Sequence, residues 1–244
     1  MSTTTISETL AFLSPLDAVA LALLVLAWFV LGKAFESQNR KMPSVSVLMA
    51  HYRREWMHHS VTREPRVYDA IVVTSLRQGT AFFASTVMIA LGSGLALLPN
   101  VDRLTTVASG IALAGASRGA LEIKLIVALA FVANAFFKFV WSHRVFGYCS
   151  IVMAAVPNDP ADPVALQRAD QAAELNISAA LAFNRGLRSV YFALGALAWL
   201  LGAVPLIVAT VVTVAVLWRR EFGSQTHRTL AREFPFPERP GRTN

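Results

Sequence analysis

The chain has 244 residues, 55% of them hydrophobic and 15% charged, with a formal net charge of +7 and a mean hydropathy of +0.51. A soluble domain carries about 25% charged residues, so this composition excludes an ordinary water-soluble domain and predicts an all-α, polytopic membrane bundle in one domain. The positive balance fits basic flanks held against an anionic cytoplasmic leaflet, with no nucleic-acid motif beside it, and the single cysteine, Cys149, leaves no intrachain disulfide and no cysteine-based metal cluster.

No Lys or Arg precedes Lys33, so the first apolar run lacks the basic region of a cleaved signal and reads as a retained helix. Ser14 as N-cap, Pro15 at the first helical position and Asp17 near the positive dipole end start a span over 15–34. The connection 33–66 is rich in Lys and Arg, which assigns it to the cytoplasm. Within it Val45, Leu48, Met49, Tyr52 and Trp56 recur at helical spacing beside Arg53 and Arg54. This predicts an amphipathic helix over 44–59, lying on the inner leaflet or packed on the protein's own cytoplasmic surface.

Thr62 reads as the N-cap of a helix over 63–98, about 54 Å at 1.5 Å per residue. That exceeds the ~30 Å hydrocarbon core, so a span over 76–98 is expected, with Asp69 and Arg77 near or beyond its inner end. Residues 99–120 form the outer connection. A second long helix over 121–156 carries the span 122–142. Asp162-Pro163 then starts a cytoplasmic helix over 163–180.

The apolar stretch that follows is interrupted by Gly202-Ala203-Val204-Pro205. Taken as a tight outer turn, this gives spans 181–201 and 205–222 and five crossings; taken as one long span, it gives four. The arginine-rich tail argues for the five-span form, in the inner membrane with the N-terminus outside and the C-terminus cytoplasmic. Residues 223–244 read as a disordered tail.

Two groups of residues could carry chemistry. Asn134, Lys138 and Ser142 stand at i, i+4 and i+8 on one helix face. They form either a polar strip lining a homo-oligomeric pore or an interhelical hydrogen bond plus a snorkelling lysine. The basic residues Arg77, Lys138, Arg144, Arg185 and Arg188 are expected near one level, with Asp69 as a structural ion-pair partner for one of them. Together with Arg53 and Arg54 they suit anions or anionic lipid head groups, and equally the ordinary basic flank of a membrane protein. No metal-binding spacing, phosphate-binding glycine loop or nucleophile–base pair marks a catalytic site, and no cofactor is expected.

Several stretches resemble a family of multispan membrane proteins, found in bacteria and plants, that is catalogued as a domain of unknown function. They are Arg63-Glu64-Pro65-Arg66 with Asp69, Phe82-Phe83-Ala84-Ser85-Thr86, the run from Phe136 to Cys149, Phe183-Asn184-Arg185-Gly186-Leu187-Arg188 with Tyr191-Phe192, and Arg219-Arg220-Glu221-Phe222. The resemblance implies a membrane bundle and supplies no activity, cofactor or partner. The functional expectations are an anion pore or transport protein and, as the alternative, a scaffold or anionic-lipid-binding protein; a membrane enzyme is the third.

Overall fold

A computed structural model describes residues 14–37, 42–101 and 118–232. Most of the expected outer connection, Arg40 and Lys41 of the basic loop, and the tail beyond 232 lie outside the described residues. Helices α1 (Pro15–Glu36), α2 (Val45–Ser60), α3 (Val67–Leu97), α4 (Arg118–Ala154), α5 (Ala165–Leu197), α6 (Ala203–Phe222) and α7 (Gln225–Ala231) follow in chain order. No strand occurs among the described residues, and the fold is an all-α membrane bundle.

Local chemistry sets the helix ends. Ser14 Oγ accepts from the Asp17 amide and the Asp17 carboxylate accepts from the Ser14 amide, both at 3.1 Å, a reciprocal cap that starts α1 as expected. Ser44 caps α2 and its hydroxyl donates to the carbonyl of Phe35 at 2.6 Å, which ties the end of α1 to the start of α2. Helix α3 starts four residues later than Arg63, because the turn before it is held by Arg66, whose guanidinium donates to the carbonyls of Val61, Val156 and Pro157.

The central pair is α4 and α5. Along α5 the buried positions are mostly small, among them Ala172, Ala179, Ala182, Gly186, Ser189, Ala193 and Ala196, so the α4 backbone and its large side chains approach closely. Phe139, fully buried, sits over Gly186 and between Phe83 and Phe183. Helix α3 packs on the far side of α4 through Val87, Ala135 and Gly94, the last against Leu129. Helices α1 and α6 close the other side around Leu24, Phe192, Trp199 and Leu206. The outer faces remain apolar and exposed, with Phe29, Phe82, Ile89 and Val211 among them, as expected of surfaces bathed in lipid.

Two ends can be distinguished. At one, Trp199 Nε1 donates to Asp17 Oδ1 at 2.6 Å, and Val101, Leu121, Leu98 and Leu200 cluster. At the other, Arg185 and Arg188 meet Glu36, and Ser46 meets Asn184 and Glu221. Four segments, Pro15–Glu36, Val67–Asn100, Arg118–Ala154 and Ala203–Ala231, are long and apolar enough to cross a bilayer. Helix α5 is not among them, because Asn184, Arg185 and Arg188 interrupt its apolar half, yet that half also runs from the Glu36 end to the Asp17 end.

The separate segments expected over 163–180 and 181–201 are therefore one continuous helix. Nothing between Phe183 and Arg188 breaks it, since Gly186 serves packing. The chain reverses at Gly202, whose φ of +125° is open to glycine. The tail departs from expectation at its start. Ser224 caps the short helix α7, and the buried His227 ring donates from Nε2 to the carbonyl of Pro43 at 3.0 Å, which holds residues 225–231 against the start of α2.

Candidate functional site

Helix α2 is amphipathic, as its sequence predicts, and it packs on the protein itself. Leu48 and Met57 are fully buried, Met57 against Cys149, Ala172 and Ala173. Its basic residues face α5: Arg54 Nε donates to Glu174 at 2.8 Å, and His58 Nε2 donates to Asp170 at 2.5 Å. Because 54 and 58, and 170 and 174, are each one turn apart, the two pairs form an antiparallel polar seam.

Arg53 lies deeper. Its guanidinium donates to the side-chain carbonyl of the fully buried Asn176. Asn176 is held in turn by Cys149: its amide nitrogen is 3.6 Å from the sulfur, whose own hydrogen goes to the carbonyl of Ala172 at 3.3 Å. Arg53 makes no ion pair among the described residues, and burial pushes its pKa below the ordinary guanidinium value.

Arg53 lines a cavity of about 470 Å³ between α2, α3, α4, α5 and the end of α6. Met49, Leu76, Phe146, Ile177 and Leu181 supply apolar wall; Ser46, Asn184, Arg220 and Glu221 supply polar rim. Glu221 Oε2 accepts from the Ser46 amide and hydroxyl, each at 3.3 Å, and Asn184 Nδ2 donates to Ser46 Oγ at 3.2 Å. Arg220 donates to the Tyr191 hydroxyl at 2.8 Å. The arrangement is an apolar chamber with a desolvated cation in its wall, suited to an apolar molecule bearing a negative group.

The strip on α4 divides. Asn134 Nδ2 donates to Ser189 Oγ at 2.7 Å, and Ser142 Oγ donates to the Ala179 carbonyl at 2.7 Å. Both polar groups belong to the α4–α5 seam. Lys138 is half-buried and makes no hydrogen bond or ion pair among the described residues.

The basic residues divide as well. Arg185 grips Glu36 with two bonds of 2.9 and 2.5 Å, and Arg188 reaches the same carboxylate at 3.2 Å. Arg77 and Arg144 instead come together on the opposite side, across α3 and α4. Asp69 is buried and paired, but with Arg63 and with Trp56 Nε1, the latter at 2.6 Å. Near the Asp17 end, Lys124 is buried 3.9 Å from Asp17 and over the Trp199 ring. Sequence reasoning missed that clamp, for which a lysine inside an apolar run was the available signal. No group of three or more His, Cys, Asp or Glu able to hold a metal occurs among the described residues.

Comparison with curated proteins and with solved structures finds no match. The family described as "Protein of unknown function, DUF599" matches residues 18–226. With its apolar helices and that match over most of its length, the chain is an integral membrane protein belonging to the DUF599 family.

Proposed function

We propose that the protein binds a single-chain amphipathic anion in the cavity beneath α2, with Arg53 as the residue that meets the negative group. The observation behind this reading is a desolvated guanidinium with no carboxylate partner among the described residues, in the wall of an otherwise apolar chamber. A buried charge left without a counter-charge costs several kcal/mol, and an anionic ligand would supply one. The volume lies within the ~300–1,000 Å³ range of small-molecule sites.

Its orientation follows from charge. Lys33, Arg53, Arg54, Arg66, Arg144, Arg219 and others lie toward the Glu36 end, so the positive-inside rule assigns that end to the cytoplasm and the cavity to the inner interface. Five crossings then leave the N-terminus outside and the C-terminus inside. A homo-oligomeric anion pore has less to rest on, because Asn134 and Ser142 are committed to α5, and Arg185 and Arg188 to Glu36.

The test titrates decanoate into the full chain in nanodiscs of neutral lipid. Saturable binding is expected, weakened about tenfold, ~1.4 kcal/mol, by Arg53→Gln and unchanged by Arg54→Gln, since Arg54 faces Glu174 on the exterior. Equal binding by the wild type and Arg53→Gln, or uptake that never saturates, would overturn the reading.

A further inference from the structure

A second cationic cleft lies between α3 and α4, lined by Arg77, His143, Arg144, Gly147, Tyr148 and Ile151, with a volume of about 460 Å³. Its floor is fixed. Thr80 Oγ1 donates to the Arg77 carbonyl at 2.7 Å, and His143 Nδ1 donates to the same carbonyl at 3.2 Å. Arg144 is held over the Tyr148 ring, with its Nε donating to the phenol oxygen at 2.5 Å. That bond uses the oxygen as acceptor and leaves the Tyr148 proton available to a ligand.

Arg77 is the unexplained group. Its Nε is buried without a hydrogen-bond partner, and its guanidinium makes no ion pair or hydrogen bond among the described residues. The Arg77 guanidinium lies against α4 at Gly147, where an added Cβ would stand at ordinary contact distance, 3.9 Å, from its Nη2. The terminal nitrogens of Arg77 therefore reach the cleft with no acceptor among the described residues, and an acceptor from outside the protein can meet them. A phosphate suits it: two arginines and a phenol converge, and arginine pairs with phosphate in a two-pronged geometry.

The surroundings say which phosphate. On the same exposed side of α4, toward the bilayer, stand Phe137, Val140 and Trp141, which are 67%, 42% and 52% exposed. An apolar surface therefore runs directly into the cationic cleft. That sequence of chemistry, acyl-compatible and then anion-compatible, matches a glycerophospholipid standing in the leaflet at the basic end. A free phosphate would use the cleft and ignore the apolar approach.

We infer that the α3–α4 cleft holds the phosphate of an anionic phospholipid, gripped by Arg77 and Arg144 with the acyl chains along Phe137 and Trp141. The inference is independent of the Arg53 cavity, which lies on the other side of α3 and α4.

The test uses the full chain in neutral detergent, with native mass spectrometry reading the bound fraction on titration with phosphatidylglycerol, phosphatidylcholine or inorganic phosphate. The expected result is one saturable phosphatidylglycerol, its affinity lowered at least fivefold by Arg77→Gln and by Arg144→Gln. Arg77→Lys should fall between, keeping the charge and losing the two-pronged grip. Arg219→Gln, which removes an exposed charge at the same end, and Arg53→Gln should leave it unchanged. Thermal melts accompany each variant, and Arg144→Gln, whose side chain is exposed, keeps the test valid if Arg77→Gln fails to fold. Equal binding by Arg144→Gln and the wild type, or an equal loss with Arg219→Gln, would overturn the site. Inorganic phosphate displacing the lipid at millimolar concentration would overturn the lipid assignment.

Discussion

Gly186→Ala is a one-carbon change whose consequence follows from the α4–α5 packing. A Cβ on Gly186 would stand 2.7, 2.9 and 3.0 Å from three ring atoms of Phe139, well inside the ordinary carbon–carbon contact of ~3.5–4.0 Å. Phe139 cannot swing aside cheaply. It is fully buried, with ring centroids 5.4 Å from Phe83 and 5.3 Å from Phe183. Overpacking of this kind costs about 1–3 kcal/mol, against a gain of ~1 kcal/mol for replacing glycine inside a helix.

The difference is a net loss of about 1 kcal/mol, a fall of roughly 2–4 °C in a chain of this size. Thermal unfolding in detergent, followed by tryptophan fluorescence, measures it. Gly92→Ala is the matched control, because nothing lies within 4 Å of the added carbon, and it should be neutral or stabilising. Phe139→Leu vacates part of the contested space, so the double variant should be more stable than the sum of the singles predicts, by ~0.5–1 kcal/mol. A Gly186→Ala protein as stable as the wild type, or strict additivity in the double variant, would refute the packing argument.

Three further perturbations probe other joints. Glu36→Gln removes the carboxylate shared by Arg185 and Arg188, and the Arg188 side chain is only 11% exposed; a loss of ~2 kcal/mol should appear as a lower melting temperature, and an unchanged one would show the cluster to be marginal. Gly202→Ala forces a side chain into a backbone with φ +125° and ψ 174°, a region costing ~1–3 kcal/mol for other residues, and should loosen the α5–α6 reversal, read as faster proteolysis near that turn. Asp17→Ala should destabilise more than Lys124→Met, since Asp17 both caps α1 and accepts from Trp199 at 2.6 Å while Lys124 stands 3.9 Å away; the opposite order of melting temperatures would show that the ion pair, not the cap and indole bond, holds that end.

Much of the architecture is legible because its causes are local. Ser14, Pro15 and Asp17 start α1 through contacts within one turn, and the apolar runs of α3, α4 and α6 exceed what water tolerates. The continuity of α5 is not local in this sense. Its first half is polar, its second half is charged at Arg185 and Arg188, and only Glu36, 149 residues from Arg185 in sequence, makes those charges compatible with a packed helix. The spacing of Asn134 and Ser142 likewise identifies a face and cannot say that α5 covers it, although the small residues Ala179, Gly186 and Ser189 on α5 are the matching half of that signal.

The same distinction governs the candidate sites. Seven basic positions were singled out for anions or lipid head groups, and sequence weighs them almost equally, because charge is a property of each residue alone. What separates them is the acid or amide opposite. Arg54, Arg185 and Arg188 have carboxylates within 3.2 Å and are accounted for by the fold. Arg53 meets only a neutral amide, and Arg77 meets nothing among the described residues. Both line cavities with no carboxylate opposite among the described residues, so an anion bound at either would supply the counter-charge that the fold does not.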